Sequence, residues 1–135
     1  MLIPSRLLVT GSAVFLLAGS LLAFSGAALA ASPFDGTYVG TQRETANSNS
    51  GNCLNLNRDD VHRVVKDGVI TTEWSKANLR ATIESDGSFA TTAEGMKFGM
   101  GGSNPITFKG TILDGKLEAD VGGARCAAHW SMRKN

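Results

Sequence analysis

The chain has 135 residues, with 13 basic and 12 acidic side chains and a formal net charge of +1 at pH 7. A chain this close to neutral, with no basic run, does not create the field that holds nucleic acid or an anionic membrane surface, so both are excluded as partners. The length fits a single domain.

The first thirty residues have the pattern of a secretory signal peptide. Arg6 supplies the positive n-region, residues 7–24 carry no charge, and Ala28-Leu29-Ala30 has the small-x-small spacing of a cleavage site. We predict cleavage after Ala30, which leaves 135 − 30 = 105 residues as one exported β-domain over 31–135 without stable membrane insertion. A retained membrane anchor is the alternative, because the uncharged stretch just reaches spanning length. Export implies a periplasmic or extracellular location.

Both cysteines, Cys53 and Cys126, lie in the predicted exported domain. Two cysteines in an oxidising compartment normally bond, so we predict a Cys53–Cys126 disulfide. A metal pair or a redox dithiol is the competing interpretation. The sequence disfavours it, because it contains neither a C-x-x-C motif nor a clustered His/Cys set.

The exported domain opens with a strand signal. Residues 34–43 are rich in β-forming side chains, and Tyr38, Gly40 and Gln42 would share one face of that strand. The polar, Asn-rich segment that follows, 44–60, predicts a long loop with room for a short strand over 53–56.

From Val61 onward, apolar and polar residues alternate in short runs. Asp-Gly pairs at 67–68, 86–87 and 114–115 are typical of tight hairpin turns. A glycine-rich segment, 94–105, interrupts the alternation. The strands predicted from this pattern are 61–66, 69–74, 79–84, 88–93, 106–113, 116–121 and 125–133.

These elements predict an all-β fold, a small antiparallel meander of seven to eight strands. No apolar residues recur with helical spacing in the exported domain. Closure as a barrel or folding over as a sandwich would limit unpaired strand edges, and we favour the barrel because neighbouring strands are sequential. Trp130 shares the inner face of the last strand with Cys126, which predicts a core position for its ring.

Gly36-Thr37-Tyr38 resembles the G-x-W opening of lipocalin- and avidin-like barrels, with tyrosine in place of tryptophan. The resemblance covers these three residues and implies a barrel without transferring any site residue. The overall plan, a small exported hairpin-rich domain with one long-range disulfide, is also similar in outline to bacterial periplasmic lysozyme inhibitors, although no inhibitor motif is present.

Motifs for catalysis or cofactor binding are weak. The chain has no G-x-S-x-G, and Ser131-Met132-Arg133-Lys134 matches S-x-x-K on a predicted strand, whereas that chemistry needs a helical turn. Asp60 and His62 would share a strand face, and His129 could add a third metal ligand only if the fold brought it alongside. Asp35, Asp67, Asp86 and Asp114, each followed by a glycine, are expected to be turn formers. We predict no catalytic, metal or cofactor residue and no cofactor.

The function predicted from these observations is non-enzymatic binding of a small ligand or an exported protein by loops at the barrel mouth. Adaptable apolar side chains in irregular segments favour contact with a partner, although packing into the core is the competing interpretation. The alternatives are inhibition of an exported hydrolase such as lysozyme or a protease, and a small metal-assisted enzyme. The candidate contact residues are Trp74, Met96, Phe98 and Met100.

Overall fold

The computed structural model describes residues 30–47, 53, 55–97 and 103–135. The predicted signal peptide lies outside this part of the chain, apart from Ala30. Within the described residues, no helix is long and apolar enough to cross a membrane.

Eight strands form one antiparallel sheet in the order β4-β3-β2-β1-β8-β7-β6-β5. Every neighbour in this order is also a neighbour in sequence, except β1 and β8, which pair with each other. The two edge strands, β4 and β5, lie side by side, and in the connection between them Glu84 N donates to Ser88 O at 2.8 Å. The fold is therefore a nearly closed up-and-down barrel, as predicted. Its strands are β1 Gly36–Asn47, β2 Arg58–Lys66, β3 Val69–Trp74, β4 Ala77–Thr82, β5 Ser88–Lys97, β6 Ser103–Leu113, β7 Lys116–Gly122 and β8 Cys126–Lys134.

The two segments predicted to be irregular contribute more strand than their composition suggests. β1 continues to Asn47, which pairs with Cys126, and β5 and β6 extend into the glycine-rich segment 94–105 as far as a Lys97–Ser103 pair. These strand ends have no continuous apolar face. They are held by backbone hydrogen bonds to the neighbouring strand. The described residues of the predicted short strand over 53–56 lie outside any strand.

The three Asp-Gly pairs that connect strands, at 67–68, 86–87 and 114–115, lie at one end of the barrel, which we call the turn end. Asp67, Gly68, Asp114 and Gly115 have φ values of 53°, 70°, 50° and 71°, as tight hairpin turns require. Backbone hydrogen bonds then link each turn to a strand further round the barrel: Ile83 N to Gly68 O, Ile112 N to Gly87 O, and Lys134 N to Gly115 O.

The segment before β1 seals the turn end. The Asp35 carboxylate accepts hydrogen bonds from the backbone N–H groups of Asp67 and Gly68, at 3.0 and 2.9 Å. Tyr38, near the start of β1, is fully buried, and its hydroxyl donates to the carbonyl of Phe34 at 2.8 Å. The aspartate therefore stabilises a turn that lies 32 and 33 residues further along the chain.

The interior contains the alternate side chains of the strands, as the period-two pattern predicts. Three aromatic rings form a row through it, which we call the aromatic stack, with tilted contacts: the centroids of Phe89 and Phe108 are 5.0 Å apart, and those of Phe108 and Trp130 are 5.2 Å apart. Trp130 is fully buried, which confirms its predicted core position. The buried core also includes Val61, Val65, Ile70, Leu79, Ala81, Ile83, Ile106, Ile112, Leu117, Ala119, Val121, Ala128 and Met132.

The predicted disulfide is confirmed. Cys53 and Cys126, 73 positions apart in sequence, are bonded with a Cα–Cα distance of 5.8 Å. The bridge attaches the β1–β2 connection to the first residue of β8, at the end of the barrel opposite the turn end. A disulfide-bonded β-fold of this kind is compatible with export.

Candidate ligand cavity at the barrel mouth

The end opposite the turn end, which we call the mouth, is where the β1–β2, β3–β4, β5–β6 and β7–β8 connections meet. A cavity of about 770 Å³ lies inside the barrel at this end. Its lining includes side chains from β1, β2, β3 and β6 and from the disulfide. The volume is in the range of small-molecule binding sites.

Gln42 of β1 and Arg63 of β2 form the polar floor of the cavity. Gln42 is 5% exposed, and its side chain makes two hydrogen bonds. The Oε1 atom accepts from the Trp130 indole N–H at 2.8 Å, and the Nε2 atom donates to the Leu56 carbonyl at 2.7 Å. These bonds fix the top of the aromatic stack and tie the β1–β2 connection to the floor.

Arg63 points inward because it alternates with the buried residues Val61 and Val65 on β2. Its guanidinium carbon lies 4.2 Å from the centroid of the Trp130 ring, a cation–π contact that extends the aromatic stack by one layer. The Nη1 atom donates to the His62 carbonyl at 2.7 Å. The guanidinium is thus held at one face and one nitrogen.

The other edge of the Arg63 guanidinium has no acceptor among the described residues. The Nε atom is shielded from solvent and makes no hydrogen bond there, while Nη2, also without a hydrogen bond there, keeps some accessible surface. Nε and Nη2 form the side of a guanidinium that takes a carboxylate with two parallel hydrogen bonds.

No carboxylate of the described chain pairs with Arg63. All twelve acidic residues of the sequence lie in the described part, and the segments 48–52 and 98–102 contain no acid. Burial, and secondarily the positive charge of Arg58, lowers the pKa of Arg63 from its ordinary value. The floor therefore holds a partly buried positive charge without an internal counter-ion.

The lining of the cavity combines apolar side chains with charged and polar ones. Trp74, 9% exposed, lines the cavity together with Leu56, Val61 and Ile106. Among the lining residues four are basic and two acidic, so their formal charge is 4 − 2 = +2; these are Arg58, Arg63, Lys76 and Arg125 against Asp60 and Glu73.

A side cleft of about 400 Å³ adjoins the floor between β2 and β3. These strands pair only beside their turn, at Val65↔Ile70 and Lys66↔Val69, and they separate toward the mouth. Arg63 lines both this cleft and the mouth cavity. The separation of two strands therefore gives the arginine room inside a barrel of only eight strands.

Of the four residues proposed as contacts from the sequence, Trp74 lines the cavity. Met96 belongs to β5, and Phe98 and Met100 lie outside the described residues. Sequence reasoning missed Gln42 and Arg63 as site residues. The available signal was strand alternation, which places Gln42 with Tyr38 and Arg63 with two valines on inward faces.

The two histidines lie on different strands with exposed side chains, and His62 also belongs to the lining of the mouth cavity. His62 Nε2 is 2.7 Å from Asp60 Oδ1, as their shared strand face predicted. His129 lies between Asp120 and Glu118, with its ring nitrogens 2.8 and 2.9 Å from the carboxylate oxygens. In the described part of the chain no group of three His, Cys, Asp or Glu side chains could hold a metal ion.

The carboxylates around His129 shift its titration. The hydrogen bond to Asp120 raises its pKa, partial burial opposes the rise, and the hydrogen bond to Glu118 adds to it. For Glu118, burial alone would raise the pKa, but hydrogen bonds from Lys116, Ser131 and His129 hold it below its ordinary value. This group is an ionic cluster on the outer barrel wall, away from the cavity.

No protein-family model, curated protein or solved structure matches the chain.

Proposed function

We propose that this protein is a non-enzymatic binding protein that holds a small, largely apolar ligand in the mouth cavity. The observation that carries the proposal is the contrast between the two ends of the barrel. The turn end is sealed by Tyr38 and the bonds of Asp35, whereas the mouth contains a cavity of about 770 Å³ above a floor of hydrogen-bonded side chains. An apolar wall with a few fixed polar groups is the usual composition of a ligand site.

Two further features support a binding role. The disulfide attaches a mouth connection to β8, which reduces the conformational entropy that this part of the mouth would lose on binding. The Gln42 hydrogen bonds hold the floor in place in the same way. Export to the periplasm or the extracellular space is part of the proposal, supported by the signal-peptide pattern and by the disulfide.

The test compares two valines on the same strand. Val61 is buried and lines the cavity, while Val64 is 57% exposed on the outer face. The uncharged dye N-phenyl-1-naphthylamine, which fluoresces in apolar surroundings, is titrated into wild type, Val61→Phe and Val64→Phe. We expect saturable binding to wild type and Val64→Phe and at least about tenfold weaker binding to Val61→Phe, because the larger ring occupies cavity volume.

Circular dichroism of each variant shows whether the barrel is folded. Folded wild type that does not bind the dye, or equal binding by the two phenylalanine variants, would contradict the proposal. Native mass spectrometry of the purified, oxidised protein gives an independent readout, since a retained small molecule supports the cavity as the site and a captured protein would indicate a surface function instead.

A further inference from the structure

We propose that the ligand is an organic acid and that the Nε–Nη2 edge of Arg63 binds its carboxylate. This inference depends on the proposed function, because it assigns the chemistry of a ligand in the same cavity. It starts from the two guanidinium nitrogens that have no acceptor among the described residues.

The position of Arg63 is costly without an anion. A buried charged donor with no partner loses its hydration and gains no hydrogen bond in exchange. The Trp130 ring contacts one face of the guanidinium, and the His62 carbonyl accepts from Nη1. The Nε–Nη2 edge is left for an acceptor that can take two hydrogen bonds. A ligand carboxylate would accept from Nη2, which keeps accessible surface. A small rotation of the guanidinium would then expose Nε, which is shielded in the ligand-free arrangement, so that the carboxylate supplies both missing acceptors.

The chain offers no acid of its own for this edge. The two acidic residues of the lining are Asp60, which is paired with His62, and Glu73. Glu73 is exposed on β3, on the opposite side of the strand from the buried Trp74, and it makes no ion pair with Arg63 in the described structure. Because the Arg63 guanidinium lies on an inward face without a counter-ion from the protein, we expect the ligand to supply the counter-ion.

The surroundings define the rest of the ligand. The walls beside Arg63 are apolar at Val61, Trp74 and Ile106, so the body of the ligand should be hydrocarbon. One guanidinium edge suits one planar carboxylate, whereas a phosphate dianion would need further donors at the floor. The positive balance of the lining would also attract an anion into the mouth.

The experiment uses three probes with the same alkyl chain: octanoate, octan-1-ol and octyl phosphate. Each is titrated by calorimetry into oxidised wild type, Arg63→Gln, Arg63→Lys and Arg80→Gln. Arg80 is the matched control, since it is an exposed arginine on β4 and does not line the cavity. Octan-1-ol reports the apolar cavity alone and also shows whether the cavity of each variant is intact.

We expect wild type to bind octanoate at least about tenfold more tightly than octan-1-ol, the factor expected for a charge-assisted hydrogen-bonded pair. Arg63→Gln should lose that difference while still binding octan-1-ol. Arg63→Lys should recover only part of it, because an ammonium group cannot make the bidentate contact. Arg80→Gln should behave as wild type.

The possible failures separate the two proposals. Equal affinity for octanoate and octan-1-ol in wild type and in Arg63→Gln would refute the carboxylate site and leave the cavity as an apolar binding site. Preference for octyl phosphate over octanoate would also refute it and identify a phosphate site. If no probe bound to folded wild type, both the carboxylate site and the proposed binding of an apolar ligand in the cavity would be refuted.

Discussion

The buried Gln42 side chain allows a quantitative test of the cavity floor. Gln42→Leu keeps a side chain of similar size but removes both hydrogen bonds, to Trp130 and to Leu56. The bond to Leu56 contributes about 1 kcal/mol, and a Trp130 indole N–H left buried without an acceptor costs about 2 kcal/mol. Burial of the apolar leucine offsets about 1 kcal/mol. We therefore expect a loss of about 2 kcal/mol in the free energy of unfolding.

A double-mutant cycle with Trp130→Phe isolates the Gln42–Trp130 bond. Phenylalanine keeps an aromatic ring but has no N–H, so in that background Gln42→Leu should change stability by less than about 0.5 kcal/mol, giving a coupling energy of about 2 kcal/mol. Urea unfolding followed by far-ultraviolet circular dichroism is the suitable assay, since one variant lacks a tryptophan. Thr45→Ala, an exposed change on β1, is the control and should alter stability by less than about 0.5 kcal/mol.

Additive effects of the two substitutions would refute this reasoning. They would mean that the indole N–H is satisfied equally well without Gln42, for example by water from the cavity. The floor would then be wetter than its geometry indicates, and the role of Gln42 in holding the top of the aromatic stack would have to be abandoned.

Three further predictions address the bridge, the barrel wall and the outer ionic cluster. Replacement of both Cys53 and Cys126 by alanine should lower the free energy of unfolding by about 4 kcal/mol, the chain-entropy value for a loop of this length. Equal stability of the variant and oxidised wild type in urea unfolding would contradict this prediction. Gly40→Ala should destabilise the barrel by about 2 kcal/mol or more in the same assay, because a Cβ there would lie 2.6 Å from the Cα of Met132; an unchanged urea midpoint would show that β1 and β8 can move apart. The raised pKa of His129 means that its ion pairs stabilise the fold fully below about pH 6.5 and lose that contribution as the pH rises through the folded-state pKa. The stability difference between wild type and His129→Gln should therefore shrink as the pH rises above about 6.5 and through the folded-state pKa, and a difference that grew with pH would contradict the assignment.

The fold was predictable to the extent that it depends on local patterns. Val69–Trp74 was predicted with the bounds that the structure has, because alternation and a following turn define both ends. The ends of β1, β2, β5 and β6 were not, since most strand residues there are polar or glycine and are held by pairing with a neighbour. Such pairing depends on tertiary structure, which a local pattern does not contain. The predicted strand 79–84 lies two residues too far along the chain, because β4 spans Ala77–Thr82.

The cavity floor was less predictable than the walls. Alternation alone places Arg63 inward, but its importance depends on Trp130 reaching across from β8 and on the separation of β2 from β3. Both are consequences of barrel closure. In the same way, Asp35 was expected to serve its own turn, and only the fold shows that it binds the turn at 67–68. A side chain's role at long range is set by register, which composition and spacing do not reveal.

The division of the barrel into two ends follows from its connectivity. In an up-and-down barrel successive connections alternate between the ends, so the Asp-Gly connections after β2, β4 and β6 must all fall together. The longer connections after β1 and β5 must then meet at the other end, with the disulfide joining one of them to β8. Tight turns allow hydrogen bonds round the turn end, and the cavity lies at the mouth. The alternation of connections therefore places both features suited to binding, the cavity and the Nε–Nη2 edge of Arg63, at the same end of the barrel.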